Sequence, residues 1–370
     1  AVDLKKLKKL SEEFHKELSA LEKKIWSEAG GEFNINSPKQ LGEVLFDKMG
    51  LSSKGQKKTA GGARSTRESE LEKLRKTHPI IGSVLEYREL QKLLSTYIDN
   101  LPAMAGGDGR LHASFSQAGT TTGRMSSQNP NLQNIPIKGD KGRRIREAFV
   151  AAPGWKLVAF DYSQIELRIA AFLSGDKKLL SVFKSGGDIH SAAASEIFDV
   201  SPEKVDAEMR RKAKIINFGI LYGMGVNALR ANLGTSREEA QRFLNEYFAK
   251  FRGLAVYIEK TKKEAGKKGY TSTYFGRRRY FEGISSNIPY IKAAAERMAV
   301  NAPIQGTQAD LVKLAMVRID GLLKKNGWEK KVYLLLQVHD ELVYEIKEEL
   351  VKEAAPLIRE RFWVQIPVAL

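Results

Sequence analysis

Two short apolar runs, each leading to an aspartate, constrain the fold of this chain more than any other feature of its sequence. Residues 155–160 predict a buried strand that ends at Asp161. Residues 332–339 predict a second strand that ends at Asp340, and the apolar segment from Leu342 continues after it, which predicts a β-hairpin with carboxylates at its turn. A charge at the end of an apolar strand is costly unless it lies at the rim of the sheet or meets a cation.

The two aspartates hold equivalent positions, since each is the first acid after its strand. If the strands are neighbours, Asp161 and Asp340 converge and repel each other unless a divalent ion lies between them. Such a pair suits two-metal phosphoryl transfer, because Mg²⁺ prefers a few carboxylates together with substrate phosphates. From position alone, both acids are equally compatible with ordinary strand-end residues that face water.

Helical periodicity dominates the rest of the chain and, with the strands, predicts an α+β protein. Apolar residues recur every three or four positions over residues 4–30, and Ser37 followed by Pro38 predicts the start of a second helix. Further helical patterns cover 68–97, 164–265 and 288–326. The interruptions are a basic, glycine-rich loop at 52–67, a strand-like alternation at 111–115, a polar loop at 116–137 and a turn-rich basic segment at 269–282.

The charge balance predicts a polyanionic partner. The 370 residues contain 61 Lys and Arg against 44 Asp and Glu, a formal net charge of +17. Basic clusters recur along the whole chain instead of forming one amphipathic segment, which favours nucleic acid over an anionic membrane. They are Lys54, Lys57, Lys58 and Arg64; Arg143, Arg144 and Arg146; Arg210, Arg211 and Lys214; and Arg277, Arg278 and Arg279. Any single cluster is also compatible with a solvated face.

Several protein classes are excluded by composition. The absence of cysteine excludes disulfides, Cys-ligated zinc and thiol nucleophiles. The longest uncharged stretch, 215–229, is too short and too polar to span a bilayer, and the first residues lack the apolar segment of a secretory signal. We therefore expect a soluble, intracellular protein without a membrane partner.

One predicted helix, around 205–224, carries a chemically ordered face. Arg210, Lys214, Phe218 and Tyr222 are spaced by four, so they follow one gently spiralling line on the helix. Cations suit triphosphate oxygens, and aromatic rings further along suit a base or a sugar. The alternative is a helix with a solvated start and a buried end.

Three longer segments carry a family pattern in a fixed order. Residues 158–168 resemble motif A, 210–223 resemble motif B, and 336–341 resemble motif C of the family A DNA polymerases, the bacterial DNA polymerase I type. Residues 122–136 are similar to the primer–template loop of that family, and 33–41 to its thumb. The resemblance is nearly collinear over the whole chain.

The resemblance implies an α+β fold with the right-hand polymerase architecture: a helical thumb, an antiparallel-sheet palm and helical fingers. We expect the thumb at 1–105 with its basic tip at 52–67, the palm at 106–175 and 291–370, and the fingers at 176–290. It also implies a monomeric, cytoplasmic enzyme of bacterial or phage type, with primer–template DNA and deoxynucleoside triphosphates as partners.

The resemblance further assigns site residues. Asp161 and Asp340, with the backbone carbonyl of Tyr162, are expected to bind two Mg²⁺ ions, for which Mn²⁺ is an alternative. The nucleotide residues expected are Arg210, Lys214 and His190 on the phosphates, Phe218 on the incoming nucleotide, Tyr222 at the templating position, Glu166 on the 2′ side of the sugar, and Gln164. Without the resemblance, His190 suits a structural role. The DNA residues expected are Arg124, Gln305 and His339 at the primer end, and Gln133, Asn134, Arg297 and Asn301 on the template side or in the minor groove.

The chain departs from the family pattern in several places. It begins inside the thumb, and no nuclease domain precedes it, so we expect no proofreading. It stops after 366–370, before the terminal segment that most members carry. The tip at 59–66 lacks the usual Gly-Tyr-Ser-Thr pattern, and Met125 replaces a leucine, which we expect to affect duplex grip and processivity more than chemistry.

The expected activity is template-directed DNA synthesis, in which the primer 3′-hydroxyl attacks the α-phosphorus of a deoxynucleoside triphosphate at a two-metal site. One alternative is a metal-dependent nuclease that uses Asp161 and Asp340, which has no need of the Arg210 and Lys214 face. The other is an inactive DNA-binding relative, which fits less well because both acids are present.

Overall fold

The computed structural model describes residues 1–52, 55–137 and 139–363. The chain forms two compact units. The first combines Ala1–Ser114 with Ser127–Ala152, and the second combines Phe115–Ser126 with Pro153–Leu370. Lys54 of the first basic cluster and the terminal segment 366–370 lie outside the described residues.

The first unit is helical. Asp3 accepts a hydrogen bond from the backbone N–H of Lys6, and Ser37 accepts one from that of Gln40, so each caps a helix start as the sequence predicts for Ser37. Its helices are α1 (Leu4–Ala29), α2 (Pro38–Gly42), α3 (Glu68–Leu71), α4 (Pro79–Leu93), α5 (Asn100–Met104) and α6 (Gly139–Arg146), with π-helical turns at Glu43–Lys48 and Leu94–Ile98. The apolar stripes of α1 and α4 pack together to form its core, in which Leu7, Phe14, Ile81 and Leu90 are buried.

The helix predicted over 68–97 is wrong as one continuous element. It is interrupted between Leu74 and Pro79, where His78 has an extended backbone with φ of −156°. The physical reason is the proline, because the residue before a proline is disfavoured in the α-helical region. Pro79 then begins α4 at a position where its missing N–H costs nothing.

The strand predicted at 111–115 is shorter and later in the structure. It is β1 (Ser114–Ser116), which pairs with β2 (Ser126–Gln128).

The second unit is built on an antiparallel sheet of three strands. Its strands are β3 (Trp155–Asp161), β6 (Val332–Val338) and β7 (Glu341–Lys347), in the order β3-β7-β6. The predicted hairpin is therefore confirmed as β6 and β7. The register pairs Trp155 with Lys347 at one end of the sheet and Asp161 with Glu341 at the other.

The rest of the second unit is mostly helical. Its helices are α7 (Ile165–Ser174), α8 (Lys177–Lys184), α9 (Ile189–Phe198), α10 (Ala207–Leu221), α11 (Val226–Leu233), α12 (Arg237–Lys250), α13 (Arg252–Lys268), α14 (Pro289–Lys325) and α15 (Val351–Phe362). Asp176, Asp188 and Asp206 cap α8, α9 and α10 through backbone N–H groups. One continuous apolar core joins the sheet to these helices.

The segment at 269–282, expected to be turn-rich, forms a β-hairpin instead, with β4 (Tyr270–Ser272) and β5 (Arg278–Tyr280). Hydrogen bonds to α14 hold it. Arg277 donates to Asp310 from Nε at 3.0 Å and from a terminal nitrogen at 2.5 Å, and the Thr273 hydroxyl donates to the same carboxylate at 2.9 Å. These contacts are long-range in sequence, so turn residues and charge alone did not predict the hairpin.

Even α14, at 37 residues, is too polar to cross a bilayer, and none of the other helices in the described ranges meets the requirement for length and apolarity.

Candidate active site

The two strand-end aspartates meet at one end of the sheet. Asp161 is the last residue of β3 and pairs with Glu341, the first residue of β7. Asp340 directly precedes that strand, and its carbonyl accepts a hydrogen bond from the backbone N–H of Tyr162 at 3.2 Å. The two strands that lead into these aspartates, β3 and β6, are not neighbours, because β7 lies between them. The two acids still converge, because Asp340 lies in the turn that enters β7, and β7 pairs with β3.

The electrostatics of this pair favour a bound cation. Desolvation raises the pKa of the Asp161 carboxyl. Desolvation and the negative charges of Asp161 and Glu166 raise the pKa of Asp340 to about 6, against the opposing effect of Arg124. A cation between these carboxylates would relieve the repulsion and restore their ionised forms.

The donor set fits Mg²⁺. Two carboxylates and the backbone carbonyl of Tyr162 are hard oxygen donors, and Mg²⁺ commonly uses few protein ligands and completes its shell with water and phosphate. Within the described ranges, no group of three or more His, Cys, Asp or Glu side chains is arranged to hold a metal. The Tyr162 side chain is committed elsewhere, because its ring stacks on Phe362 at 3.9 Å between centroids.

The hairpin turn places His339 beside these acids. His339 has a positive φ of 56°, and its carbonyl accepts a hydrogen bond from Nε2 of Gln337 at 2.8 Å. Gln164, at the start of α7, also has a positive φ of 58°. A left-handed backbone is unusual for residues other than glycine and often marks a functional site, where surrounding contacts hold it.

Glu166 is the centre of a polar cluster. It lies in the first turn of α7 and is 7% exposed. Its Oε1 accepts from a terminal nitrogen of Arg124 at 2.6 Å, and its Oε2 accepts from the hydroxyl of Tyr222 at 2.6 Å. The same nitrogen of Arg124 donates to Gln308 at 2.5 Å, while the buried Nε of Arg124 has no hydrogen-bond partner.

Helix α10 presents the predicted ordered face. Arg210 donates from Nε to Asp188 at 2.6 Å. Burial raises the pKa of Asp188, but hydrogen bonds from Arg210, from Ser191 and from backbone N–H groups outweigh this and hold that pKa well below its usual range. Further along, the rings of Phe218 and Tyr222 lie 6.3 Å apart at an interplanar angle of 15°.

His190 lies next to this face, in the first turn of α9. Its ring is 5.6 Å from that of Phe218, and its Nδ1 is 3.1 Å from Nδ2 of Asn217. Burial lowers the pKa of His190 to about 4, an effect to which Arg210 and Lys214 add and which Asp188 opposes.

The predicted DNA residues on α14 form a stripe. Arg297, Asn301 and Gln305 are spaced by four, and the buried Oδ1 of Asn301 has no hydrogen-bond partner. Arg297 packs against the end of the α10 segment so closely that a Cβ added at Gly223 would lie 2.6 Å from its Cγ. Gln133 and Asn134 belong to the first unit, on a short 3₁₀ turn, and the Asn134 carbonyl accepts from the hydroxyl of Tyr97.

Comparison with known protein families identifies the family to which this chain belongs. The model for "DNA polymerase family A" matches residues 4–370. The chain belongs to DNA polymerase family A. Its fold is confirmed as the α+β polymerase fold by a solved structure, described as the POL domain of Pol1 from M. smegmatis in complex with DNA primer-template and dNTP. The TM-score is 0.92 at 41% identity, over 98% of this chain and 63% of that one.

This family A chain is similar to curated DNA polymerase I proteins. It is 49% identical over 370 residues to the thermostable DNA polymerase I of Thermus aquaticus. That match covers all of this chain and 44% of the Thermus aquaticus protein. The chain is 47% identical over 351 residues to the DNA polymerase I of Pseudomonas aeruginosa, over 94% of this chain and 38% of that one. The chain therefore spans less than half the length of these relatives.

Sequence reasoning missed three contact residues of this family A site. Gln308 extends the α14 stripe at helical spacing from Gln305, so periodicity could have indicated it. Asp188 was visible as a helix cap, but its pairing with Arg210 needs the packing of α9 on α10. Asn217 carried no signal, because it lies on the buried side of α10 among apolar neighbours.

Proposed function

We propose that this chain is the catalytic part of a template-directed DNA polymerase that adds deoxynucleoside triphosphates to a primer 3′ end. The observation that carries the proposal is the meeting of Asp161 and Asp340 at one end of the sheet, with Arg124 and Glu166 close enough to shift the pKa of Asp340. Membership of family A supports the same reaction.

In this proposal Asp161, Asp340 and the Tyr162 carbonyl hold two Mg²⁺ ions, with Mn²⁺ as an alternative. When bound, these ions supply positive charge that favours ionisation of the primer 3′-hydroxyl and neutralises the departing pyrophosphate. The raised pKa of Asp340 has a consequence for the free protein, since part of the carboxyl population is protonated near pH 6 until a cation binds.

Helix α10 is proposed to bind the nucleotide. The Asp188 carboxylate accepts a hydrogen bond from Nε of Arg210 and thereby orients the guanidinium. The terminal nitrogens of Arg210 can then form charge-assisted hydrogen bonds with phosphate oxygens. Lys214, one turn further, adds a second charge on the same exposed face. Phe218 then packs against the base or sugar of the incoming nucleotide.

Tyr222 and Glu166 are proposed to gate the templating position. Tyr222, which is 42% exposed, is held by a hydrogen bond from its hydroxyl to Glu166. In this proposal its ring stacks at the templating position until the fingers close. Glu166 itself fills the space on the 2′ side of the sugar, with Gln164 beside it.

The remaining predicted roles are proposed unchanged. Arg124, Gln305 and His339 contact the primer end, and Gln133, Asn134, Arg297 and Asn301 the template side or the minor groove. The buried, unpartnered Nε of Arg124 and Oδ1 of Asn301 support this, because each offers a polar atom that a ligand can satisfy. The thumb, palm and fingers boundaries of the sequence analysis are proposed for the domains, and a bacterial or phage-type cytoplasm for the location.

A primer-extension assay tests the proposal. An end-labelled primer on a longer template is incubated with Mg²⁺ and deoxynucleotides, and its length is followed with time. We expect template-directed growth that stops when the metal is chelated. Shortening of the primer without growth would support the metal-dependent nuclease, and binding with neither change would support the inactive relative.

A further inference from the structure

A buried chain of three polar side chains lies behind the phosphate-binding face. The hydroxyl of Tyr247, on α12, donates to Oδ1 of Asn217 at 2.8 Å, and Nδ2 of Asn217 lies 3.1 Å from Nδ1 of His190. Tyr247 and Asn217 are fully buried and His190 is 3% exposed, so water does not compete for these hydrogen bonds. The three residues come from α12, α10 and α9.

The direction of each hydrogen bond in this chain is fixed by chemistry. Among the contacts of the described residues, Asn217 Oδ1 is the acceptor for the Tyr247 hydroxyl. The amide of Asn217 must then turn its NH₂ group toward His190, and an NH₂ group can only donate. Turning the amide over would leave the Tyr247 hydroxyl hydrogen without an acceptor in a buried place, which is costly.

This orientation of the Asn217 amide fixes the tautomer of His190. Nδ1 faces a donor, so it carries a lone pair, and the ring proton of the neutral imidazole is on Nε2. Nε2 has no hydrogen-bond partner within the described part of the chain, so it is the ring nitrogen left to donate to a ligand. A second ring proton would lie on Nδ1 and face the Asn217 NH₂ group, which is also a donor. The positive charge on the ring would be repelled by Arg210 and Lys214, and the attraction of Asp188 offsets this repulsion only in part.

We propose that Asn217 and Tyr247 are positioning residues that hold His190 as the neutral tautomer with the proton on Nε2, which donates a hydrogen bond to a phosphate oxygen of the nucleotide. This inference rests on the proposed function for the identity of the ligand, but the tautomer itself does not depend on it. Neither Asn217 nor Tyr247 contacts the nucleotide in this arrangement.

Nuclear magnetic resonance of the whole chain tests the tautomer directly. Long-range ¹H–¹⁵N spectra distinguish a protonated from an unprotonated ring nitrogen, and His190→Gln identifies the His190 signals among the five histidines. We expect an unprotonated Nδ1 and a protonated Nε2 at pH 7. A proton on Nδ1 in the neutral ring would overturn the proposal whether or not the chain extends primers.

Kinetics then test the positioning role. Tyr247→Phe removes the hydroxyl that fixes the amide, and we expect the KM for the nucleotide to rise about threefold to tenfold with little change in kcat. In a His190→Gln background the same substitution should raise KM no further, because the donor that it positions is already absent. Tyr257→Phe, on α13 of the same unit, is the matched control and should leave KM unchanged.

Two results decide between positioning and a merely structural role. If Tyr247→Phe raises KM equally in the presence and absence of His190, the effect is general loosening and the proposal is overturned. Asn217→Asp gives a second readout, because a carboxylate facing Nδ1 accepts a proton there. We expect it to raise the pKa of His190 by more than one unit in the same spectra, and an unchanged pKa would count against the proposal. Should Tyr247→Phe fail to fold, the wild-type spectrum still decides the tautomer.

Discussion

At the scale of single residues, the site combines acids that repel each other with contacts that offset the repulsion only in part. Asp340 lies near Asp161 and Glu166, and Arg124 is the opposing charge, already paired with Glu166. The repulsion between the acids at the end of the sheet is therefore only partly offset, whereas the Glu166 carboxylate accepts hydrogen bonds from both Arg124 and Tyr222. This difference predicts different consequences for substitution of Asp340 and of Glu166.

Asp340→Asn should abolish extension while leaving DNA binding near normal. The amide keeps the size of the side chain but removes a metal-binding charge, so we expect extension to fall at least about a hundredfold, about 2.7 kcal/mol of transition-state stabilisation. Duplex affinity should be unchanged or slightly higher, because one negative charge is lost. Single-turnover extension and fluorescence anisotropy measure the two quantities.

Asp320→Asn is the matched control for this change. Asp320 lies on α14 in an exposed ion pair with Lys324 at 2.8 Å, and surface pairs contribute little. A variant of Asp340 that extends primers as fast as the Asp320 variant would exclude the two-acid site.

Glu166→Ala should weaken discrimination against ribonucleotides. Glu166 is fixed by two hydrogen bonds, so a 2′-hydroxyl must displace it or shift the α-phosphate. We expect the ratio of kcat/KM for ribo- over deoxynucleotides to rise at least about tenfold, roughly 1.4 kcal/mol. Glu166→Gln keeps the volume and should stay close to wild type. Equal loss in both variants would point to charge, and an unchanged ratio in both would remove Glu166 from sugar selection.

At the scale of elements, α10 is exposed along its cations and buried along its other side. Ala213, Ile216 and Asn217 face the core, and Gly223 ends the segment against Arg297 of α14. A helix with one buried and one ligand-binding face can change ligand affinity without losing its packing. Two substitutions test these two faces separately.

Lys214→Ala should raise the KM for the nucleotide by tenfold or more. A charge-assisted hydrogen bond to phosphate contributes about 1.5–3 kcal/mol. Lys212→Ala is the matched control, because residue 212 lies on the same helix but about 200° away around its axis. Steady-state extension at saturating primer–template measures KM, and binding of the duplex alone should not change. Equal effects at the two positions would indicate general attraction instead of a specific contact.

Gly223→Ala should disturb the junction of α10 with α14. Gly223 has a φ of +66°, and an added Cβ would lie 2.6 Å from Cγ and 3.1 Å from Cα of Arg297. Gly234→Ala is the control, because its φ of +67° gives the same backbone strain with nothing within 4 Å. We expect the control to lose about 1 kcal/mol of stability and the Gly223 variant at least twice that, with slower extension. Denaturant unfolding measures the free energy of unfolding of both variants. Equal decreases would show that the close approach of Gly223 to Arg297 does not affect stability.

At the scale of the whole molecule, charge dominates. The net charge of +17 is spread over both compact units. Many of the basic residues pair locally, as Arg211 does with Glu208 and Lys73 with Glu70, so formal charge overstates the number available to a ligand. The remainder still predicts a steep dependence of DNA binding on salt.

Duplex affinity should fall with salt at a log–log slope steeper than about −3.5. Each phosphate neutralised contributes about −0.9, and we expect about four contacts or more. Titration of a labelled primer–template between about 50 and 200 mM salt measures the slope. Removing one contacting lysine should reduce it by about one unit. An affinity that did not change over this range would contradict a nucleic-acid groove.

The sequence by itself determined the local features. The apolar runs before Asp161 and Asp340 predict strands because their lengths and compositions suit buried strands, and Ser37 and the i+4 spacing on α10 act within a few residues. The order of the three motifs identified the family without knowledge of any contact. Such signals depend on residues that are close in sequence, so they can be recognised without knowledge of the tertiary structure.

Only the tertiary structure decided which of these features meet. The register of β3 on β7 brings Asp161 beside Asp340, which are 179 positions apart in the chain. The hairpin at 270–280 and the chain from Tyr247 through Asn217 to His190 likewise depend on packing between helices and strands distant in sequence. No local pattern encodes the direction in which Asn217 turns its amide, because that direction is set by a hydroxyl delivered from another helix.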